Sequence, residues 1–282
     1  MYDEEERLGD YITRRTMLQQ KTMTKKAAPS RSSSGLQIRQ SDGTVSIYKT
    51  SWCVIGPPGI GKSTLFSGFD ECLYLVTSEK EVGSLQVPYI LIDSWEKLLD
   101  VTVELINNRS KYSYKFLVID FIDAVWTMCA IAVCAKLGVA HYTDAQWGKG
   151  SDTLDNYFKK WFTTMVASDY GILCVSHVNQ KDVMQGGGMV TKTVCTLPPR
   201  ARTVLFPLLN VIGCMEYRKV KVQNKVTNKI ELTNKRVISF EGNEYIEAKD
   251  RDGVLPKEIV LVKDAKKNFE AFKDYYEGRK HK

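Results

Sequence analysis

The feature that most constrains this chain is a nine-residue loop: Gly56, Pro57, Pro58, Gly59, Ile60, Gly61, Lys62, Ser63 and Thr64. It fits the spacing GxxxxGK[ST], in which glycines let the backbone wrap a phosphate chain with its N–H groups pointing inward. The loop follows an apolar run, Trp52 to Ile55, and opens a helical pattern from Leu65. Strand, loop, helix is the setting the motif requires. The chemistry implied is a nucleoside triphosphate held with Mg2+. Lys62 is expected on the β- and γ-phosphates, the Ser63 hydroxyl on the metal and Thr64 on the α-phosphate.

Such a site needs a carboxylate at the tip of another strand to complete the metal shell. Phe116 to Ile119 is a run of four apolar residues that ends in Asp120. Hydrolysis also needs a group that positions the attacking water. The residue after Asp120 is Phe121, so that group comes from elsewhere. The second apolar run, Leu73 to Val76, leads to Glu79 and then Glu81. Glu79 is the first choice and Glu81 the second, provided the second strand neighbours the first; the alternative is a pair of solvated loop carboxylates. The run Gly171 to Val175 ends in Ser176 and His177. His177 is either a sensor of the γ-phosphate or a histidine with a purely structural role.

The strand runs at Trp52–Ile55, Leu73–Val76, Tyr89–Ile92, Phe116–Ile119 and Gly171–Val175 are apolar throughout rather than alternating. Strands buried on both faces read this way, so a mainly parallel sheet flanked by helices is predicted. Helices are expected from Ser94 to about Asn107, Ala124 to Leu137 and Thr153 to Ala167. Past Arg202 the pattern changes to short strands, Val211–Val222, Val226–Leu232, Lys235–Phe240 and Glu244–Ala248, expected as antiparallel additions at the sheet edge. Residues 1–44 read as a mobile polar tail, 45–262 as one ATPase domain with its edge strands at about 205–262, and 263–282 as a charged segment that is a candidate terminal helix.

Composition narrows the classes. The acidic start, Asp3 to Glu6, does not resemble a secretory leader, and the most apolar stretch, Phe116 to Val139, contains Asp120, Asp123 and Lys136. Neither reads as a membrane segment. The seven cysteines form no CxxC pair, which excludes a zinc ribbon and fits buried thiols in a reducing compartment. Cys129 and Cys134 do not share a helix face with a five-residue spacing, so no metal cluster with His141 is expected. A net charge of +7 is compatible with an anionic partner without identifying one.

The residues GPPGIGKST, TSE at 77–79, FLVIDFIDAV at 116–125, WGKGSD at 147–152, CVSH at 174–177, LPPRAR at 197–202 and YIEAKDR at 245–251 together resemble the phage nucleotide-binding proteins of the RecA/RadA-like P-loop class, which include ATP-dependent single-strand annealing proteins. The likeness spans roughly residues 50 to 256. It departs where the family often reads Asp-Thr-Glu and this chain reads Thr77, Ser78, Glu79.

The resemblance implies a RecA-like fold, ATP and Mg2+ as cofactors, DNA-stimulated ATP hydrolysis and a role in DNA recombination. It implies single-stranded DNA, further copies of the chain in a ring or filament, and a phage single-strand-binding protein as partners, with no membrane and a cytoplasmic location in the host cell. DNA would lie on two loops, one carrying Tyr142, Trp147 and Lys149, the other Lys181, Gly186 to Gly188 and Lys192. Lysines for phosphates and rings for bases suit sequence-tolerant strand binding. The basic stretch 218–236 would either serve the same end or be a lysine-guarded sheet edge. Lys249, with Arg251 behind it, is the candidate finger toward a neighbouring subunit's γ-phosphate. Two other classes compete: a P-loop kinase of a small molecule or nucleotide, with Arg200 and Arg202 on its lid, and a slow nucleotide-switched scaffold.

Overall fold

A computed structural model describes residues 43–223 and 230–278. The expected mobile tail at 1–44 lies outside these residues, apart from positions 43 and 44. The fully apolar runs become central strands: β1 (Ser51–Ile55), β2 (Cys72–Val76), β4 (Phe116–Asp120) and β5 (Gly171–Ser176) are buried at every residue. The shorter β3 (Tyr89–Leu91) alternates exposed and half-buried positions because it lies at the edge. Two further strands are much longer, β8 (Val211–Gln223) and β9 (Ile230–Ser239). With β11 (Glu258–Val260) they complete the order β11-β9-β8-β1-β5-β4-β2-β3, and β10 (Lys249–Asp250) pairs beside β8. Pairing from β8 through β3 is parallel, while β8–β9, β9–β11 and β8–β10 are antiparallel. The mainly parallel α/β sheet with antiparallel strands toward the C-terminus is therefore as expected.

Helices cover both faces. One face carries α2 (Trp95–Asn107), α3 (Ile122–Leu137), α4 (Lys149–Val166) and α5 (Pro199–Leu205), whose Trp95, Trp126, Phe158 and Leu205 pack on Cys53, Leu75, Ile119 and Cys174. The Ser94 hydroxyl accepts from the Lys97 amide and so caps α2 where the sequence placed its start. On the other face, α1 (Lys62–Phe66) and α6 (Ala265–Tyr276) meet over Trp52. The Trp52 ring lies 5.4 Å from Phe272, 5.8 Å from Phe240 and 6.0 Å from Phe69. Those rings come from both ends of the domain, so the charged C-terminal segment is a helix whose aromatic stripe closes this face.

Several local expectations give way to longer-range pairing. The break foreseen between Leu232 and Lys235 is absent: Asn234 sits within β9 opposite Lys219. The pairing with β8 runs unbroken from Ile230 to Ser239 and carries these polar residues along with it. Glu244 to Ala248 is not a strand; it contributes a single bridge, Ile246 to Thr193. Helix α4 begins at Lys149, four residues before its expected start, so Lys149 and Asp152 lie in its first turn. The flexible loop expected at 179–198 is largely a hairpin, β6 (Val178–Gln185) and β7 (Gly188–Cys195). Gly186 and Gly187 turn it with φ of 59° and 85°, the two positive values that a type I′ turn requires.

Candidate nucleotide site

The phosphate loop links the C-terminal end of β1 to α1. Gly59 and Gly61 hold φ of 75° and 94°, left-handed backbone that aims successive amides into the loop. Gly56 is required for a different reason: a β-carbon there would lie 2.9 Å from the Met215 carbonyl oxygen on β8. The loop is thus wedged against the neighbouring strand.

Lys62 is buried, 5% exposed, and its ammonium donates to the carbonyls of Gly56 and Pro57 at 2.8 and 3.0 Å. It also lies 3.1 Å from Nδ1 of His177. Burial lowers its pKa from 10.5 to about 8, even with Asp120 and Asp123 nearby opposing the change. The His177 pKa is lowered first by burial and then by the Lys62 charge, which favours a neutral ring able to accept from the ammonium. Phe121 holds the ring edge-on, 5.2 Å between centroids.

Asp120 and Ser63 meet as the metal-side reading requires. The Ser63 hydroxyl hydrogen-bonds the carboxylate, whose pKa is raised by burial against the opposing pull of Ser63 and Lys62. Oδ2 of Asp120 is buried without a hydrogen-bond partner. An unpaired buried carboxylate oxygen beside a hydroxyl, above a phosphate loop, fits a divalent cation with hard oxygen ligands. Mg2+ held by Ser63 and Asp120 would neutralise charge on the phosphates. Among the described residues no group of three His, Cys, Asp or Glu side chains is placed to hold a metal ion, and the seven cysteines are free thiols.

The strand order revises the condition set on the water-positioning carboxylate. β2 does not neighbour β1; β5 and β4 lie between them. β2 instead runs beside β4, and Thr77 donates its amide to the Asp120 carbonyl. Glu79 is exposed and reaches only the Tyr89 hydroxyl, at 3.4 Å. Glu81 is half-buried and folds back over the strand end, where its carboxylate accepts from the Thr77 amide and hydroxyl, each at 3.1 Å. Its pKa is raised first by burial and further by the Asp120 charge. The carboxylate beside Asp120 is therefore Glu81, the second choice.

Sequence reasoning missed Asp123, in the first turn of α3. Its Oδ1 accepts from the Thr196 hydroxyl at 2.6 Å, its Oδ2 is buried without a partner, and its charge acts on both Lys62 and His177. Thr196 donates its amide to the His177 carbonyl at 3.0 Å. Both feet of the β6–β7 hairpin, His177 and Thr196, thus stand in the phosphate site. The legible signal was the second aspartate in the stretch Asp120, Phe121, Ile122, Asp123.

The remaining candidates lie outside this cluster. Trp147 is 98% exposed in left-handed backbone with φ of 59°. Lys149 follows it at the start of α4, and Tyr142 precedes it in a short 3-10 turn. Lys181 and Lys192 face each other across the hairpin. The Lys249 ammonium donates to the carbonyls of Phe206 and Leu209, both at 2.8 Å, and lines a cleft of about 980 Å³ with Lys192, Arg202 and Glu247. Arg251 donates to the Pro207 carbonyl. Neither cation reaches this chain's own phosphate loop.

No helix among the described residues is long and apolar enough to cross a membrane. No curated protein matches the chain. A family model described as an AAA domain matches residues 49–252, from the residue before β1's lead-in to the end of β10 and its turn. That span holds the phosphate loop, Asp120 and His177, so the chain belongs to the AAA domain family of P-loop ATPases, and nucleotide binding and hydrolysis follow from its membership.

Proposed function

We propose that the chain is an Mg2+-dependent ATPase of the RecA/RadA-like type that acts on single-stranded DNA in phage recombination, by annealing or a recombinase-like step. Lys62 binds the β- and γ-phosphates, Ser63 and Asp120 hold the metal, Glu81 rather than Glu79 lies where a water is oriented, and His177 senses the γ-phosphate. The observation that carries the DNA reading is Trp147, almost fully exposed and set in left-handed backbone next to Lys149. A large ring presented this way suits base stacking far better than it suits water.

The hairpin supports the same reading. Lys181 and Lys192 are directly opposed, an arrangement that disfavours the free hairpin and favours a bound anion. Arg200, just past the hairpin, reaches Asp152 at 2.9 Å and Asp155 at 2.8 Å on α4, tying the hairpin's exit to the helix that Lys149 begins. With Arg202 also paired to Glu247 at 2.5 Å, neither arginine is placed as a kinase lid would place it. Self-association belongs to the proposal: Lys249 and Arg251 serve as trans fingers, and the cleft that Lys249 lines receives the neighbouring subunit. A phage single-strand-binding protein and a cytoplasmic setting are parts of it as well.

Single-stranded DNA binding, measured by fluorescence anisotropy across a salt series, tests it. Affinity is expected to fall steeply with salt in the wild type and to drop at least tenfold in Trp147→Ala/Lys149→Ala. Salt-insensitive binding, or an unaffected double variant, overturns the DNA reading.

A further inference from the structure

Beyond the phosphates, nothing so far accounts for how the nucleoside is held. The β8–β9 pair carries an unexplained cation and ring on the α1 side of the sheet. Met215 and Ile238 are opposed in register, are buried on that face and include the Met215 carbonyl that abuts Gly56. Two residues further out, on the same face, Tyr217 is opposed to Arg236.

Arg236 reaches the phosphate loop. A β-carbon on Gly61 would lie 2.6 Å from its Nη1 and 3.9 Å from Cβ of Thr64, so the guanidinium stands at the Gly61–Thr64 end. That is the end expected to face the α-phosphate; Asp120 and His177 mark the γ end. Its own hydrogen bonds go to carbonyls, Ile60 at 3.4 Å and Val262 at 3.0 Å. Among the described residues it has no carboxylate partner, in contrast to Arg200, Arg202 and Arg218, each of which has one. An arginine held by backbone oxygens keeps its full charge for an external anion. Tyr217 is 63% exposed, the next position outward on the strand whose Met215 touches the loop.

We infer that Tyr217 and Arg236 bind the nucleoside end of the nucleotide, Arg236 beside the α-phosphate and Tyr217 as the ring that covers the base. Asn234 and Lys219, opposed and exposed at the next same-face position, are placed to meet the outer edge of that base. The inference rests on the reading of Gly56 to Thr64 as the phosphate site. It makes one strand pair serve both as a wall against the loop and as the specificity element, with the face beyond Met215 free to become polar and aromatic.

The experiment compares binding of ATP and of inorganic tripolyphosphate, which has the phosphate chain but no nucleoside, by competition with a fluorescent nucleotide. Tyr217→Ala is expected to weaken ATP about tenfold and leave tripolyphosphate unchanged, while Tyr217→Phe keeps wild-type affinity for both. Arg236→Gln is expected to weaken both ligands, since its charge lies next to a phosphate that both possess. Tyr217 is exposed, so melting of Tyr217→Ala should match the wild type and show that the fold is intact. Equal loss of both ligands in Tyr217→Ala, or no loss of ATP, overturns the inference. Failure of the wild type to bind either ligand, or wild-type affinity in Lys62→Ala, would instead reject the phosphate loop itself.

Discussion

Titrating Lys62 is the most quantitative consequence of the site. Its ammonium is buried against two carbonyls and the His177 ring, and its pKa falls from 10.5 to about 8. A folded-state pKa below the unfolded one gives a stability contribution present above about 10.5 and lost as pH falls through about 8. The full difference corresponds to about 3 kcal/mol against the empty folded state near neutral pH. A bound triphosphate supplies the missing counter-charge and returns the pKa toward its ordinary value. Binding must then take up a proton wherever the empty protein has lost one. With an empty-state pKa of about 8, affinity is expected to weaken about tenfold between pH 7 and pH 9. The terminal phosphate has finished ionising by about pH 8, so the upper half of that range belongs to the protein. Isothermal titration calorimetry in two buffers of different ionisation enthalpy reads the proton count directly, with nearly one proton taken up per nucleotide at pH 9. Lys62→Arg, whose guanidinium does not titrate, should bind with no such slope. Affinity that is flat from pH 8 to pH 9, or an identical slope in Lys62→Arg, refutes the reasoning.

Other outcomes follow from the same geometry. Asp120→Asn should lower the Mg2+-dependent hydrolysis rate at least a hundredfold with the melting temperature preserved or raised, since an unpaired buried carboxylate is replaced by a neutral amide. Glu81→Gln should slow hydrolysis more than Glu79→Gln does, read as kcat under saturating ATP; the reverse order would return the role to Glu79. Gly56→Ala should cost roughly 1–3 kcal/mol in chemical denaturation, because its β-carbon meets the Met215 carbonyl, whereas Gly59→Ala meets nothing and carries only the smaller strain of its positive φ. Phe272→Ala should remove about 3–5 kcal/mol by leaving a cavity beside Trp52.

What was legible in the sequence divides along the range of the interactions involved. The phosphate loop and Asp120 were readable because each is local: a strand that runs straight into its functional residue. The parallel core was readable because burial on both faces removes alternation from the strands. The choice between Glu79 and Glu81 was not, since it depends on β2 lying beside β4 and on a short 3-10 turn that folds Glu81 back onto Thr77. The β6–β7 hairpin is not legible because its apolar residues form no continuous run and a glycine triplet at its centre looks locally like flexible chain. The places of Asp123 and Arg236 beside the phosphate loop are not legible for a plainer reason: their partners Thr196 and Ile60 are 73 and 176 residues away, and no spacing rule reaches that far.

In the proposed reading the phosphate site is coupled to a DNA surface through the hairpin whose feet, His177 and Thr196, stand in it. The most direct measurement is steady-state ATP hydrolysis with and without single-stranded DNA, comparing the wild type with Lys62→Ala. Mg2+-dependent hydrolysis that single-stranded DNA stimulates severalfold is expected, with none above background in Lys62→Ala. Hydrolysis that no nucleic acid stimulates would contradict it.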